Sequence, residues 1–203
     1  MFGIDESELA PVEISLRDMH FVVIGPYRSG RSTALATIAR SLLEATPAAS
    51  AHLLAARRSP LEQMEGWATV AHGTDECDEH VTQLLDDVMG GQVDRPMVVV
   101  IDDAGELAES PCQGALEQLI KRGRDRDVRV IASLETGQAR HYAAWIRELR
   151  KDSHGLLLDP NMDIDGDLLS VRLPRKTNPQ YPPGRGYLVA SGTVTLVQVA
   201  RAG

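Results

Sequence analysis

The stretch GPYRSGRST, residues 25–33, directly follows the apolar run HFVVI and precedes a segment with the apolar spacing of a helix. Gly25 and Gly30 are followed by Arg31 and Ser32 at the spacing of a phosphate-binding loop, except that such loops have lysine where this chain has arginine. Glycines let successive backbone N–H groups turn toward an anion, and the helix N-terminus adds partial positive charge. The stretch predicts a phosphate-binding loop; the alternative is a turn that only caps the helix.

A second element, VVVIDD at residues 98–103, is an apolar strand that ends in two carboxylates. In an open parallel sheet such a strand end lies near the loop, so Asp102 is expected to hold a magnesium ion with the Ser32 hydroxyl, while Asp103 orients a water molecule. Taken alone, the two aspartates would indicate a turn or a helix cap. The residues predicted to contact nucleotide are Gly25, Ser29, Gly30, Arg31, Ser32 and Thr33.

Two departures from the usual loop chemistry bear on activity. Arg31 keeps the positive charge of lysine, but its broad planar guanidinium replaces a compact ammonium group. Asp103 stands where a glutamate is expected, and a displacement of roughly 1 Å can lower a rate about a hundredfold. We therefore predict that ATP and Mg²⁺ bind weakly or not at all and that hydrolysis is weak or absent.

The rest of the chain predicts an α/β fold with a mostly parallel sheet and helices on both faces, because short apolar runs alternate with helix-like segments. The predicted strands are 20–25, 51–55, 97–102, 128–133 and 155–158, and the predicted helices are 32–44, 78–89, 112–122 and 138–150. Residues 186–200 predict an antiparallel hairpin at a sheet edge. Residues 161–183 predict a surface loop with one helical turn at 165–169, and residues 1–18 a lead-in to a single domain of residues 1–203.

Net charge, cysteine content and the length of apolar runs limit the classes of function that the chain can have. With a net charge of −8 and a pI near 5.2, the chain is a poor candidate for gripping DNA phosphates. Its two cysteines, Cys77 and Cys112, are far apart and lack neighbours at metal-ligand spacing, so reduced, buried thiols are expected. No run approaches the length of a membrane span, and the start lacks the pattern of a signal peptide. We expect His20, His52 and His80 to be structural.

Six pieces of sequence follow in order the pattern of FtsK/SpoIIIE-type ATPase domains. They are GIDESELAPVEISL, HFVVIGPYRSGRSTAL, ARRSPL, VVVIDDAGEL, IKRGRDRDVRVIAS and PPGRGYLV, and together they span almost the whole chain. More closely, the chain resembles the last of the tandem ATPase domains in the EccC family of type VII (ESX) secretion. The resemblance implies a RecA-like P-loop NTPase fold, a place on the cytoplasmic side of a membrane-anchored complex, and possible hexamers.

The same resemblance implies partners and further site residues. The last domain of the family binds the C-terminal tail of WXG-type secretion substrates, and neighbouring ATPase domains are the other expected partners. Arg122 and Arg124 match the region that supplies an arginine to a neighbour's site, and we take Arg124 as a catalytic candidate; a solvated basic helix end is the alternative. Where family members place a threonine and a glutamine to sense the γ-phosphate, this chain has Ser133, Leu134 and Glu135.

The preferred hypothesis is an ATPase-like module of a secretion motor that recognises substrate and turns over little nucleotide. One alternative is an active ATP-driven translocase of DNA or protein that tolerates Arg31. The other is an interaction domain whose nucleotide pocket is empty or filled by its own side chains.

Overall fold

The apolar run before the glycine-rich loop forms a central strand of a ten-stranded sheet. The structure, a computed structural model, describes residues 3–5, 10–12, 19–141, 143–174 and 181–200. The strands are β1 Gly3–Asp5, β2 Pro11–Val12, β3 Phe21–Gly25, β4 Ser50–Ala55, β5 Thr69–His72, β6 Met97–Asp102, β7 Val128–Glu135, β8 Gly155–Leu158, β9 Arg185–Ala190 and β10 Thr193–Val199.

The helices are α1 Arg31–Ala45, α2 Gly73–Met89, α3 Gln113–Gly123, α4 Thr136–Ala139 and α5 Ala144–Arg150. Short 3₁₀ turns lie at Pro60–Gln63, Ala104–Leu107, Arg124–Arg126 and Asp165–Leu169. No helix among the described residues is long and apolar enough to cross a membrane.

The strand order is β2-β1-β10-β9-β8-β3-β7-β6-β4-β5. The six strands from β8 to β5 are parallel, whereas β9, β10, β1 and β2 pair antiparallel at the other end. The carboxyl ends of the parallel strands therefore share one edge of the sheet, and both predicted site elements, the end of β3 and the end of β6, lie on it.

Helices cover both faces of the sheet, as predicted. Along β3, Phe21 and Val23 pack in the cluster that includes Leu35 of α1, while Val22 and Ile24 pack in the cluster that includes α2, α3 and α5. Alternate side chains of a strand point to opposite faces, so a strand that is apolar throughout requires both layers. All five residues of β3 are buried.

The structure differs from the prediction in two helices and in one additional strand. The helix predicted at 138–150 is two helices. Helix α4 begins earlier, where the Glu135 carboxylate accepts hydrogen bonds from the amides of Gly137 and Gln138, and α5 begins only after Ala143, whose φ of −52° and ψ of 131° are not helical. Helix α2 begins at Gly73 instead of residue 78. Strand β5 was not predicted, because it has only four residues, directly precedes α2 and contains no long apolar run.

The C-terminal hairpin and the loop before it agree with expectation. Ser191 and Gly192 connect β9 to β10 with φ angles of 50° and 77°, the left-handed conformation of a tight two-residue hairpin. The predicted helical turn is present at Asp165–Leu169, and residues 175–180 of the predicted loop lie outside the described part of the chain. Strands β1 and β2, from the predicted lead-in, extend the sheet beyond the hairpin; most of residues 1–18 is likewise outside the description.

The isolated histidines and cysteines lie inside the fold. His20 accepts a hydrogen bond at Nδ1 from the Val130 amide at 3.0 Å, and its Nε2 lies 2.9 Å from the Ile120 carbonyl. His52 and His80 contact each other through Nδ1 and Nε2 at 3.0 Å. Cys77 and Cys112 are buried free thiols, and burial raises the pKa of Cys77 to about 11 and that of Cys112 to about 12.

The two tryptophans differ in their surroundings. Trp145 is completely buried in the cluster beneath α5, whereas Trp67 is half-buried and donates its indole N–H to the Leu61 carbonyl at 2.8 Å. Trp145 is thus a core residue, while Trp67 holds the segment after β4 against α1.

Candidate functional site

The glycine-rich loop connects the buried end of β3 to the start of α1. Gly30, the last loop residue, has a φ of 95°, a conformation that favours glycine. A Cβ atom at this position would lie 2.9 Å from the backbone nitrogen of Gly184. The Gly184 amide also donates to the Ser29 carbonyl at 2.8 Å. The PPGRG segment of residues 182–186 therefore packs directly on the loop, and only glycine at position 30 allows this approach.

Arg31 folds back onto the loop that precedes it. Its Nη1 donates to the carbonyls of Gly25 at 2.7 Å and Pro26 at 3.0 Å, and its Nη2 lies 2.9 Å from Oδ1 of Asp103. The side chain of Arg31 is only 12% exposed. The guanidinium thus joins the loop to the end of β6 by three hydrogen bonds, one of them an ion pair.

Asp103, the predicted water-orienting residue, is held by this ion pair. Its backbone is in the left-handed region with φ 48° and ψ 49°, and its amide donates to the Ser133 hydroxyl at 2.8 Å. Non-glycine residues adopt that conformation rarely, and they do so mostly at functional or tightly constrained sites. The ion pair with the Asp103 carboxylate balances the positive charge of Arg31.

Asp102, the predicted metal-shell residue, is surrounded by three serine hydroxyls. Ser32 and Ser133 lie 3.1 Å and 2.6 Å from Oδ1, and Ser59 lies 2.7 Å from Oδ2. Asp102 is 4% exposed. Strands β4 and β7 flank β6, so the chain leaving β4 brings Ser59 to one side of the carboxylate while β7 brings Ser133 to the other.

Ser59 was not predicted as a site residue. It caps the turn Pro60–Gln63: its hydroxyl accepts from the Leu61 amide, and the Glu62 carboxylate accepts from the Ser59 amide. The S-x-x-E spacing of residues 59–62 is the sequence signal of this capping box. The same hydroxyl bonds a carboxylate more than forty residues away, which spacing along the chain does not reveal.

Of the other predicted residues, Ser29 and Thr33 lie at the loop and Arg124 does not. Ser29 is buried, and its hydroxyl lacks a partner among the described groups, as does Nε of Arg31. Thr33 is exposed in the first turn of α1. Arg124 precedes β7 at the amino edge of the sheet, where it pairs with Asp152 at 2.9 Å. The length of β7, roughly 25 Å for eight residues, separates Arg124 from the loop.

These residues suit a magnesium ion and a phosphate in kind, and Arg31 is hydrogen-bonded within the loop itself. The Ser32 hydroxyl and the Asp102 carboxylate are hard oxygen donors of the type that Mg²⁺ takes. The described residues hold no cluster of three or more histidine, cysteine, aspartate or glutamate side chains that suits a metal. The guanidinium of Arg31, the residue predicted to face a phosphate, is hydrogen-bonded to Gly25, Pro26 and Asp103.

Comparison with known proteins finds one curated relative over almost the whole chain. The chain is 28% identical to the ESX secretion system protein EccC of Thermomonospora curvata over a 228-residue alignment that covers 98% of this chain and 17% of that protein. The chain is similar to EccC. It therefore spans about a sixth of that relative's length. No family model matches the chain.

Solved structures place the EccC-like domain among ATPase domains. The EccC ATPases 2 and 3 of T. curvata, solved with a signal sequence peptide, match with a TM-score of 0.80 and 25% identity over 100% of this chain and 40% of that one. EssC ATPases 2 and 3 from Geobacillus thermodenitrificans match with a TM-score of 0.75 and 22% identity over 100% of this chain and 41% of that one. The RecA-like P-loop fold is thereby confirmed.

Proposed function

We propose that this domain is an ATPase-like module of a type VII secretion motor that binds MgATP weakly, hydrolyses little or none of it, and recognises the C-terminal tail of a WXG-type substrate. Arg31 carries the first part of the proposal. Its guanidinium is bound to Gly25, Pro26 and Asp103, so a nucleotide must break three hydrogen bonds before the loop can receive its phosphates. Charge-assisted hydrogen bonds of this kind contribute about 1.5–3 kcal/mol each.

The prediction of low ATP turnover rests on the position of Asp103. A general base must approach the attacking water within hydrogen-bond distance, and a carboxylate in an ion pair with Arg31 is both shorter than glutamate and already bound. Ser133, at the position where the family resemblance implies a γ-phosphate sensor, bonds Asp102 and the Asp103 amide. Neither residue is free to respond to nucleotide without breaking these contacts.

Nucleotide titration and phosphate release test this part. We expect weak MgATP binding and background turnover for the unmodified domain. Arg31→Lys is expected to strengthen binding because lysine has a single slim ammonium group, but to leave turnover near background because Asp103 is still one methylene too short. The double variant Arg31→Lys with Asp103→Glu is the one expected to gain turnover.

A matched control separates the site from the rest of the loop. Arg28→Lys changes an exposed arginine three residues away, so it should leave both quantities unchanged. Low-micromolar MgATP binding or robust phosphate release by the unmodified domain would contradict the proposal and favour the alternative function, an ATP-driven translocase. The contact of Ser32 with Asp102 is the observation that favours that alternative, since it retains the pair expected to hold Mg²⁺.

Tail recognition is the second part of the proposal. A relative's solved structure contains a signal sequence peptide, and this domain has a groove that suits an apolar segment. The groove has a volume of about 530 Å³ and lies between the end of α1 and the segment after Ser59. Leu43, Pro47 and Met64 are its apolar lining residues, and its polar lining residues are Arg40, Glu44, Gln63 and Glu65. Apolar side chains spaced three and four apart on a helical tail would fill such a groove.

Peptide titration tests the groove. Met64→Glu places a charge on its apolar surface and should weaken binding of a cognate tail peptide at least tenfold, because a desolvated charge without a partner opposes burial. Met89→Glu is the matched control, since Met89 is 44% exposed on α2 and lies outside the groove. Equal loss in both variants, or no loss in either, would show that the tail does not bind there.

The proposal also includes neighbouring ATPase domains and a membrane-anchored complex as partners. Because the chain spans 17% of EccC, we propose that it operates as one domain of a larger assembly, on the cytoplasmic face of a membrane-anchored complex and beside other ATPase domains or protomers. Arg124 remains a candidate for a contact with a neighbour's nucleotide site, for which it would first have to leave Asp152.

A further inference from the structure

Ser59 lies beside Asp102 although it belongs to neither the glycine-rich loop nor β6. It follows β4 in the chain and is 5% exposed. Its hydroxyl donates to Oδ2 of Asp102 at 2.7 Å, and among the described residues this is the hydrogen bond that Oδ2 receives. A third stretch of chain therefore reaches the carboxylate that is predicted to hold Mg²⁺.

The Asp102 carboxylate is fixed at both of its oxygens. Ser133 donates to Oδ1 at 2.6 Å, and Ser59 donates to Oδ2 at 2.7 Å. Hydroxyl-to-carboxylate bonds of roughly 2.5–2.7 Å are the strong, charge-assisted ones. The terminal torsion of an aspartate side chain is otherwise broad, so these two bonds together set the plane of the carboxylate.

The third hydroxyl at this carboxylate, that of Ser32, makes the longest contact. It lies 3.1 Å from Oδ1 of Asp102. A hydroxyl has one hydrogen and two lone pairs, so Ser32 can donate to Asp102 and still offer its oxygen to a cation. The groups that bind a metal's ligands orient those ligands and tune their affinity for the metal. Ser59 stands in that relation to Asp102.

Ser59 is itself held in place by the turn that it caps. The Leu61 amide donates to the Ser59 hydroxyl at 3.2 Å, which leaves the hydroxyl hydrogen for Asp102. The Glu62 carboxylate accepts from the Ser59 amide at 2.7 Å. The cap and the contact with Asp102 thus use different atoms, and mutations can separate them.

We propose that Ser59 is a positioning residue for a divalent cation at Ser32 and Asp102, because it holds the Asp102 carboxylate in the orientation that the cation requires. The inference rests on the proposed function, from which it takes the pair of residues that binds Mg²⁺. It adds that the affinity of this pair for the metal depends on a residue of the segment after β4.

Titration of the domain with Mn²⁺ in the presence of ADP tests this role. The relaxation of water protons measures Mn²⁺ that is bound to the protein, independently of catalytic activity. Ser59→Ala removes the donor to Oδ2, and we expect the affinity for Mn²⁺ to fall at least about tenfold, as is typical when a hydrogen-bond partner of a metal ligand is lost. Ser110→Ala removes another buried serine hydroxyl, which contacts Leu107 and Cys112 instead, and should leave the affinity unchanged.

Glu62→Ala separates the metal from the stability of the turn. It removes the acceptor of the Ser59 amide and leaves the Ser59 hydroxyl on Asp102. Ser59→Ala and Glu62→Ala each break the capping box, so both should lower the urea concentration at which half of the protein is unfolded. Only Ser59→Ala should lose affinity for Mn²⁺. An equal loss of affinity in both variants would assign the effect to the turn and overturn the inference.

The remaining outcomes distinguish the inference from the proposed function. Unchanged affinity for Mn²⁺ in Ser59→Ala would overturn the inference alone. Robust phosphate release by the unmodified domain would contradict the proposed function, while a tenfold loss of affinity in Ser59→Ala would still support the role of Ser59. If the unmodified domain bound no Mn²⁺ with ADP at millimolar concentration, the inference would fall together with weak nucleotide binding, and tail recognition would be unaffected.

Discussion

At the scale of single residues, the Arg31 side chain is hydrogen-bonded to the loop that precedes it and to the end of β6. Three hydrogen bonds hold it between Gly25, Pro26 and Asp103, and it is nearly as buried as the carboxylate of Asp102. The arginine satisfies two loop carbonyls and a carboxylate without any ligand.

Removing the Arg31 side chain should therefore destabilise the domain. Arg31→Ala leaves two carbonyls and the partly exposed Asp103 without their donor, and we expect the free energy of unfolding to fall by about 1–3 kcal/mol. Arg28→Ala removes an exposed arginine from the same loop and should change it by less than about 0.5 kcal/mol. Urea unfolding of the three proteins measures this, and equal stability of Arg31→Ala and the unmodified domain would show that the contacts contribute nothing.

At the scale of elements, buried histidines join strands to helices. His20 connects the start of β3 to the end of α3 and to β7, and burial lowers its pKa to about 4. Burial and the neighbouring His80 lower the pKa of His52 to about 4 as well. In the folded protein both rings are therefore neutral at pH values where the ring of an unfolded chain, with a pKa near 6.5, is already protonated.

This difference predicts a loss of stability in acid. The unfolded state binds more protons between the two pKa values, so the stabilisation is complete above about pH 6.5 and is lost as the pH falls toward 4. For His20 the loss amounts to as much as about 3 kcal/mol. Urea unfolding from pH 8 to pH 4.5 should show it.

Two histidine variants make the origin of the slope testable. His20→Gln can still form a hydrogen bond but does not titrate, so its stability should depend less steeply on pH, even if it is lower at pH 8. His141→Gln changes an exposed histidine and should keep the slope of the unmodified protein. An unchanged slope in His20→Gln would assign the acid sensitivity to other groups.

At the scale of the whole molecule, the net charge distinguishes between the two candidate functions, a secretion module and a DNA translocase. The net charge of −8 is unfavourable near a phosphate backbone, whose binding depends on clustered lysine and arginine. We expect no salt-sensitive binding of duplex DNA when fluorescence is measured at 50 mM and 200 mM salt. Binding with a steep salt dependence, together with no binding of the tail peptide, would favour a DNA translocase over the proposed function.

The sequence by itself determined the α/β class, the glycine-rich loop and its acidic partner strand, because these depend on local periodicity and fixed spacing. That Arg31 and Asp103 lower activity stays a prediction, which rests on the difference in size between these side chains and the expected ones. Strand β5, the break between α4 and α5, and the extension of the sheet by β1 and β2 did not follow, because short elements take their conformation from neighbours instead of from their own periodicity.

Only the tertiary structure decided which residues the hydrogen bonds of the site connect. Ser59 meets Asp102 because β4 lies beside β6, and Gly184 meets Gly30 because β9 and β10 return to the start of α1. The ion pair of Arg31 with Asp103 joins residues seventy-two positions apart. Contacts at such separations arise from the order of strands in the sheet, which no local pattern encodes.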